Sequence, residues 1–156
     1  MPSFQTSRRV PHTPEEMFDL VCNVEAYPQF VPLCTGLRVL RRQTGDDGRE
    51  VIVAEMQVGY KAIRETFTSK VTCDRAKLRI LVEYIDGPFR YLRNEWDFRA
   101  APPGCLVEFA IDYEFRSRAL GLLMGRMFDV AFRRFAEAFE RRAAEVYRRT
   151  ERQKPA

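Results

Sequence analysis

The chain has 156 residues, 46% hydrophobic and 31% charged, with 8 glycines and 9 prolines, a composition that fits one globular domain and excludes wholesale disorder or a collagen-like chain. No apolar run approaches the roughly 20 residues of a membrane-spanning helix, and the first residues lack the apolar stretch of a secretory signal, so the expectation is a soluble protein made in the cytosol. The 26 Lys+Arg and 22 Asp+Glu leave a net charge of +4, divided as +6 over residues 116–156 and −2 over residues 1–115.

Phe4–Val10 reads as a short opening strand. In Thr13-Pro14-Glu15-Glu16 a threonine N-cap, a proline at the first helical position and a glutamate three residues past the cap make a capping box, which predicts a helix over 14–24. The segment Tyr27-Pro-Gln-Phe-Val-Pro-Leu-Cys34 cannot prolong it, because Pro28 and Pro32 remove donors and fix φ. An aromatic-bearing loop or broken helical turn is expected there.

From Leu37 the hydrophobic period becomes two. Gly36–Gln43 and Glu50–Tyr60 flank Thr44-Gly-Asp-Asp-Gly48, a hairpin signal. Lys61–Cys73 and Lys77–Tyr84 are strands, Asp86-Gly87-Pro88 is a breaker, and Tyr91–Arg99 and Cys105–Phe115 form a last hairpin. Connections this short require antiparallel pairing. Residues Leu120–Arg149 read as one amphipathic helix, with Met124, Phe128, Ala131, Phe135, Phe139 and Val146 on one stripe and Arg126, Arg133, Arg134, Arg141 and Arg148 largely opposite. A polar tail, 150–156, closes a single domain ordered over about 3–149.

The fold class is therefore α+β: a seven-stranded antiparallel sheet with a long C-terminal helix. One helix, about 10 Å wide, cannot cover seven strands spaced about 4.8 Å apart. The sheet must curl around it, and the geometry favours a gap between them. Alternation and the helical stripe supply the candidate lining. Strand residues are Met56, Val58, Tyr60, Phe67, Ile80, Val82, Tyr84, Asn94, Trp96, Phe109, Ile111 and Tyr113, and helix residues are Met124, Phe128 and Phe135. Tyr27, Phe30, Val31 and Leu33 would form a lid or a membrane-docking tip, with Pro88 and Phe89 as the opposite lip. Such a lining suits an extended apolar ligand; the same residues would equally fill a solid core. Glu65 shares the inward phase of its strand unless a bulge near Gly59 resets it.

Cys22, Cys34, Cys73 and Cys105 show no paired spacing and are expected to be reduced and mostly buried. His12 is the only histidine, so zinc sets built on histidine and histidine-based nucleophilic catalysis cannot be assembled.

The segments Tyr27-Pro-Gln-Phe-Val-Pro-Leu-Cys34, Gly87-Pro88-Phe89, Leu92-x-Asn94-x-Trp96-x-Phe98 and Val107-x-Phe109-x-Ile111-x-Tyr113-Glu-Phe115 together resemble the coenzyme Q-binding START-domain family, within the polyketide cyclase/dehydrase-like, helix-grip superfamily. The resemblance spans about Ser3–Arg149. Leu33 stands where the family pattern has a tryptophan, so an aromatic anchor at the loop tip does not carry over. The resemblance implies a deep hydrophobic tunnel that binds a polyprenylated quinone such as ubiquinone, non-catalytically and in support of respiration. No other cofactor is implied. Tyr60, Tyr84, Tyr113 and Asn94 are the polar contacts available to a headgroup. The basic helix face and the Tyr27–Leu33 loop would bring a monomer to the cytoplasmic face of an anionic membrane. The family also includes a bacterial ribosome-associating toxin, and the paired arginines Arg133-Arg134, Arg141-Arg142 and Arg148-Arg149 suit a phosphate-rich partner. A third reading is a cyclase- or dehydratase-like enzyme, with Glu65 and Tyr84 or Tyr113 as its acid/base set, although such a glutamate more commonly pairs with an arginine such as Arg93.

Overall fold

The computed structural model describes residues 3–60 and 62–153, with side chains as far as Tyr147. The elements follow the order β1 (Ser3–Val10), α1 (Pro14–Cys22), a 3-10 turn (Val24–Gln29), β2 (Cys34–Thr44), β3 (Glu50–Tyr60), β4 (Ile63–Asp74), β5 (Arg79–Asp86), β6 (Phe89–Ala101), β7 (Gly104–Phe115) and α2 (Arg118–Gln153). All seven strands form one antiparallel sheet in the spatial order β1-β7-β6-β5-β4-β3-β2. The first strand returns to pair with the last, and α2 lies across the concave face.

The capping box is present in full: Glu16 N donates to Thr13 Oγ1 at 3.0 Å, and Thr13 N donates to Glu16 Oε1 at 2.9 Å. Helix α1 stops at Cys22, two residues short of expectation, because the chain tightens into the 3-10 turn that contains Pro28. Helix α2 is longer than expected at 36 residues. It takes in residues 150–153 of the expected tail, and the remainder, 154–156, lies outside the described residues.

The inward phase of β6 and β7 is buried without exception from Leu92 to Phe98 and from Cys105 to Phe115. On β4 it runs through Phe67, Ser69, Val71 and Cys73. No bulge resets it at Gly59, since β3 and β4 pair continuously from Glu50↔Cys73 to Tyr60↔Ile63. Irregularities fall elsewhere, in β2, between Thr68 and Ser69, and between Phe89 and Tyr91.

The cysteine expectation needs correction. Cys22, at the end of α1, and Cys73, near the end of β4, form a disulfide with Cα atoms 6.4 Å apart, while Cys34 and Cys105 are free and buried. The two partners are 51 residues apart, so only the tertiary fold brings them together. No helix of the described residues is long and apolar enough to cross a membrane.

Candidate functional site

A cavity of about 80 Å³ lies between the concave face of the sheet and α2. Its wall comes from Val24, Tyr27, Pro32 and Leu33 of the turn and loop before β2, and from Leu37, Ala54, Met56, Val58, Phe67, Ser69, Val71 and Val82 of β2–β5. Leu92, Asn94, Trp96 and Ile111 of β6 and β7 continue it, and Phe128, Ala131, Phe132, Phe135 and Phe139 of α2 close it. Two aromatic clusters bracket the space. At one end Phe89 meets Phe67, Tyr84, Tyr113, Phe115 and Phe128 with ring centroids 4.9–6.0 Å apart. At the other, Phe139 packs edge-on against Trp96 at 5.0 Å, Phe30 at 5.0 Å and Tyr27 at 5.3 Å. Edge-to-face pairs of this kind fix ring orientation as well as burying area.

Few polar groups face the cavity. The Tyr27 hydroxyl is held by the carbonyl of Val21, and burial pushes its pKa far above the usual phenol range. Asn94 Oδ1 accepts from Trp96 Nε1 at 2.9 Å, and Asn94 Nδ2 donates to the carbonyl of Ala110 at 2.9 Å. Ser69 Oγ has no partner. Among the described residues no carboxylate, histidine, lysine or cysteine lines the cavity, so the wall carries no acid/base pair.

Of the residues expected to line a tunnel, Tyr27, Leu33, Met56, Val58, Phe67, Val82, Asn94, Trp96, Ile111, Phe128 and Phe135 do face the cavity. Phe30, Val31, Ile80, Tyr84, Pro88, Phe89, Phe109, Tyr113 and Met124 do not; most of them are spent on packing between the helices and the sheet. Tyr60, expected on the inner face, is 46% exposed and borders an outer groove with Leu123 and Met127 of α2. Three of the four expected headgroup contacts therefore fall away, because Tyr60, Tyr84 and Tyr113 lie outside the wall; the Tyr84 hydroxyl accepts from Phe89 N at 3.1 Å. Glu65 is half-buried but outside the wall, and Arg93 pairs with Glu95 on the outer face, not with Glu65.

Ten wall residues stand outside the predicted lining: Val24, Pro32, Leu37, Ala54, Ser69, Val71, Leu92, Ala131, Phe132 and Phe139, although Ala131 and Phe139 lie on the predicted helical stripe. Ser69 sits between Phe67 and Val71 in the inward phase, so strict alternation finds it. Phe132 requires a helical stripe wider than the one drawn through Phe128 and Phe135, since a core-facing stripe spans 100° or more.

Pro32, Leu33 and Ala131 line both the cavity and an outer groove containing Tyr60, Ile63, Leu123, Arg126, Met127, Val130 and Arg134, which assigns the mouth of the cavity to this corner. Leu122, Leu123 and Val130 are 87%, 62% and 46% exposed, so this half of α2 presents apolar side chains outward beside the arginines expected there, Arg126, Arg133 and Arg134, which are exposed too. Half of the helix arginines with described side chains are already engaged: Arg133 with Asp129, Arg141 with Glu137, and Arg142 with Glu145 and Gln29. Among the described residues of α2, Arg118, Arg126 and Arg134 form no ion pair. A larger hollow of about 740 Å³ crosses the outer face of the sheet. Arg79, Arg93, Glu95, Asp97 and Glu108 there are tied into ion pairs, which leaves them little capacity for a ligand.

Residues 10–140 match the family described as polyketide cyclase / dehydrase and lipid transport. The ribosome association toxin RatA of Escherichia coli K12 is 35% identical over 150 residues, covering 94% of this chain and 90% of that protein. The mitochondrial coenzyme Q-binding protein coq10 of Schizosaccharomyces pombe is 34% identical over 124 residues, covering 77% of this chain and 73% of that one. Among solved structures, a START superfamily protein from Mycobacterium smegmatis superposes with a TM-score of 0.75 at 20% identity, over 92% of this chain and 98% of that one, which is a likeness of fold.

Proposed function

The chain belongs to the polyketide cyclase / dehydrase and lipid transport family, and from that premise we propose that it binds an isoprenoid quinone, ubiquinone or a close analogue, without altering it chemically. The observation that carries this reading is the apolar, aromatic cavity wall, free of any acid/base pair. The coenzyme Q-binding relative supports the choice of ligand. Burying each methylene of an isoprenoid tail contributes about 0.8 kcal/mol, so the tail supplies affinity and the head needs only a few polar contacts.

The volume sets a condition. At about 80 Å³ the cavity is well below the roughly 300–1,000 Å³ of ordinary ligand pockets, too small for a multi-isoprene tail. Entry therefore requires the wall to open. The C-terminal half of α2 is tied down: Arg8 Nε meets Glu140 Oε2 at 2.9 Å, and the Tyr147 hydroxyl donates to Glu16 O at 2.7 Å. Its N-terminal half, 118–131, makes no polar contact with the sheet among the described residues. Opening by displacement of that half and of the Pro32-Leu33 corner enlarges the cavity at its mouth. The exposed Leu122, Leu123 and Val130 with Arg126 and Arg134 then suit contact with an anionic bilayer, where such ligands reside.

Native mass spectrometry with organic extraction, on protein purified from its own host, tests the proposal: a co-purifying quinone is the expected result. Purified protein that carries no extractable lipid, and whose Trp96 fluorescence is unquenched by added ubiquinone, refutes it. A second reading, contact with the ribosome, draws on the similarity to RatA over 94% of the chain. Co-sedimentation with ribosomes at moderate salt, lost on Arg126→Glu and Arg134→Glu, would favour that reading.

A further inference from the structure

Ser69 Oγ is a buried side-chain polar atom without a hydrogen-bond partner, on a residue only 6% exposed. It faces the cavity between Phe67 and Val71. The strand register breaks at this residue, with Thr68 opposite Asp86 and Ser69 opposite Tyr84, and such irregularities re-aim a side chain. A hydroxyl sealed in an apolar wall is costly unless something completes it. None of its neighbours is in bonding position among the described residues: the Tyr84 hydroxyl is turned to Phe89 N, and Asn94, two strands away on the same face, bonds Trp96 and Ala110.

Asn94 adds a second donor. The indole N–H of Trp96 can only donate, so it fixes the Asn94 amide with its oxygen toward the indole. The amide nitrogen then has one hydrogen on the Ala110 carbonyl and one to spare. With the Tyr27 hydroxyl donating to the Val21 carbonyl, the donors left to the cavity are one hydroxyl and one spare amide hydrogen. Both can donate, and neither is charged.

We infer that Ser69 is the specificity-determining contact of this cavity. It donates a hydrogen bond to a carbonyl oxygen of the bound lipid, with Asn94 as the auxiliary donor, so that the polar end enters first and the tail leaves past Leu33 and Ala131. The inference rests on the proposed quinone-binding function and adds to it an orientation and a residue. A free hydrocarbon tail gives Ser69 nothing, whereas an uncharged carbonyl head satisfies it without bringing a charge into an apolar site.

The test compares the full-length protein with Ser69→Ala for two probes: a ubiquinone with two isoprene units, read by quenching of Trp96, and an oxygen-free isoprenoid hydrocarbon of equal length, read by competition. The expected result is a five- to tenfold loss of quinone affinity, the usual worth of one neutral hydrogen bond, with hydrocarbon affinity unchanged and thermal stability equal or higher. Equal quinone affinity in Ser69→Ala, or an equal loss for both probes, overturns the inference and leaves the binding function standing. Failure of the unaltered protein to bind either probe overturns both. Ser69→Val, which more than refills the space of the lost hydroxyl with methyl groups, must also lose quinone affinity; restored quinone affinity in that variant would assign the effect to packing and overturn the inference.

Discussion

Trp96 Nε1 donates to Asn94 Oδ1 at 2.9 Å between two buried side chains on the same face of β6. The bond joins the only tryptophan of the chain to the one amide side chain in the cavity wall among the described residues. Replacing Asn94 by leucine leaves the indole N–H unsatisfied in an apolar surround, which costs about 1–3 kcal/mol. Urea denaturation should show that loss. In a Trp96→Phe background the same replacement should cost less, because the orphaned donor is gone, and the double-mutant cycle should return a coupling above about 0.5 kcal/mol. Additive losses would show that the pair is not energetically linked.

Gly87 occupies φ +144°, and a Cβ placed there would lie 2.5 Å from Phe67 Cβ and 3.0 Å from its Cα. Phe67 in turn packs on Phe89 at 5.6 Å, so the Gly-Pro-Phe turn and the cavity wall are held as one unit. Gly87→Ala combines an unfavourable backbone conformation with displacement of a buried ring. A stability loss of about 2 kcal/mol or more is expected in thermal or urea unfolding. A loss under about 0.5 kcal/mol would mean that the turn relaxes independently of Phe67.

Burial raises the thiol of Cys34 to about 11, that of Cys105 to about 11 and the Tyr147 phenol to about 12, from ordinary values of 9.0, 9.0 and 10.0. Nearby acidic residues, Glu15 and Glu16 for Cys105 and Glu16 and Asp19 for Tyr147, add to the effect. Each group is neutral when protonated, so the folded state retains a proton that the unfolded chain releases at lower pH. Stability from these groups is fully present below about pH 9 and declines as pH rises toward 12, since the unfolded state then binds fewer protons. Unfolding midpoints measured from pH 8 to 12 should fall over that window. Tyr147→Phe should flatten the decline between 10 and 12, while costing about 1 kcal/mol at neutral pH through loss of the bond to Glu16 O. A curve unchanged in shape by that substitution would contradict the assignment.

The fold was legible because each of its elements announces itself locally. The capping box at Thr13 marks α1, and alternation from Leu92 to Phe98 and from Cys105 to Phe115 marks two strands whose inward faces are buried as read. The site was legible only by phase. Alternation states which face a residue lies on, and that recovers Met56, Val58, Phe67 and Ile111. It does not state how close α2 approaches, so Ile80, Phe109 and Met124, on the correct face, end in solid packing and not at a void. The Cys22–Cys73 disulfide was illegible for a related reason: helix α1 and strand β4 meet only once the sheet has curled.

The apolar rim of the cavity mouth separates two contributions to membrane contact. Leu123 and Val130 would insert their side chains among acyl chains, a term insensitive to salt, whereas Arg126 and Arg134 would act on anionic headgroups, each worth about 1 kcal/mol and screened within a Debye length of about 10 Å at 0.1 M salt. Arg126→Glu with Arg134→Glu should therefore lower co-sedimentation with phosphatidylglycerol-rich vesicles by tenfold or more at 0.1 M salt, and the difference should shrink at 0.5 M. Leu123→Glu with Val130→Glu should weaken binding at both salt concentrations. As all four residues border the groove beside the mouth and none lines the cavity, quinone affinity in detergent should be unchanged in either double variant, while transfer between vesicles slows. Binding of the unaltered protein to neutral and anionic vesicles alike would remove the arginines from the account, and binding to neither would remove the rim.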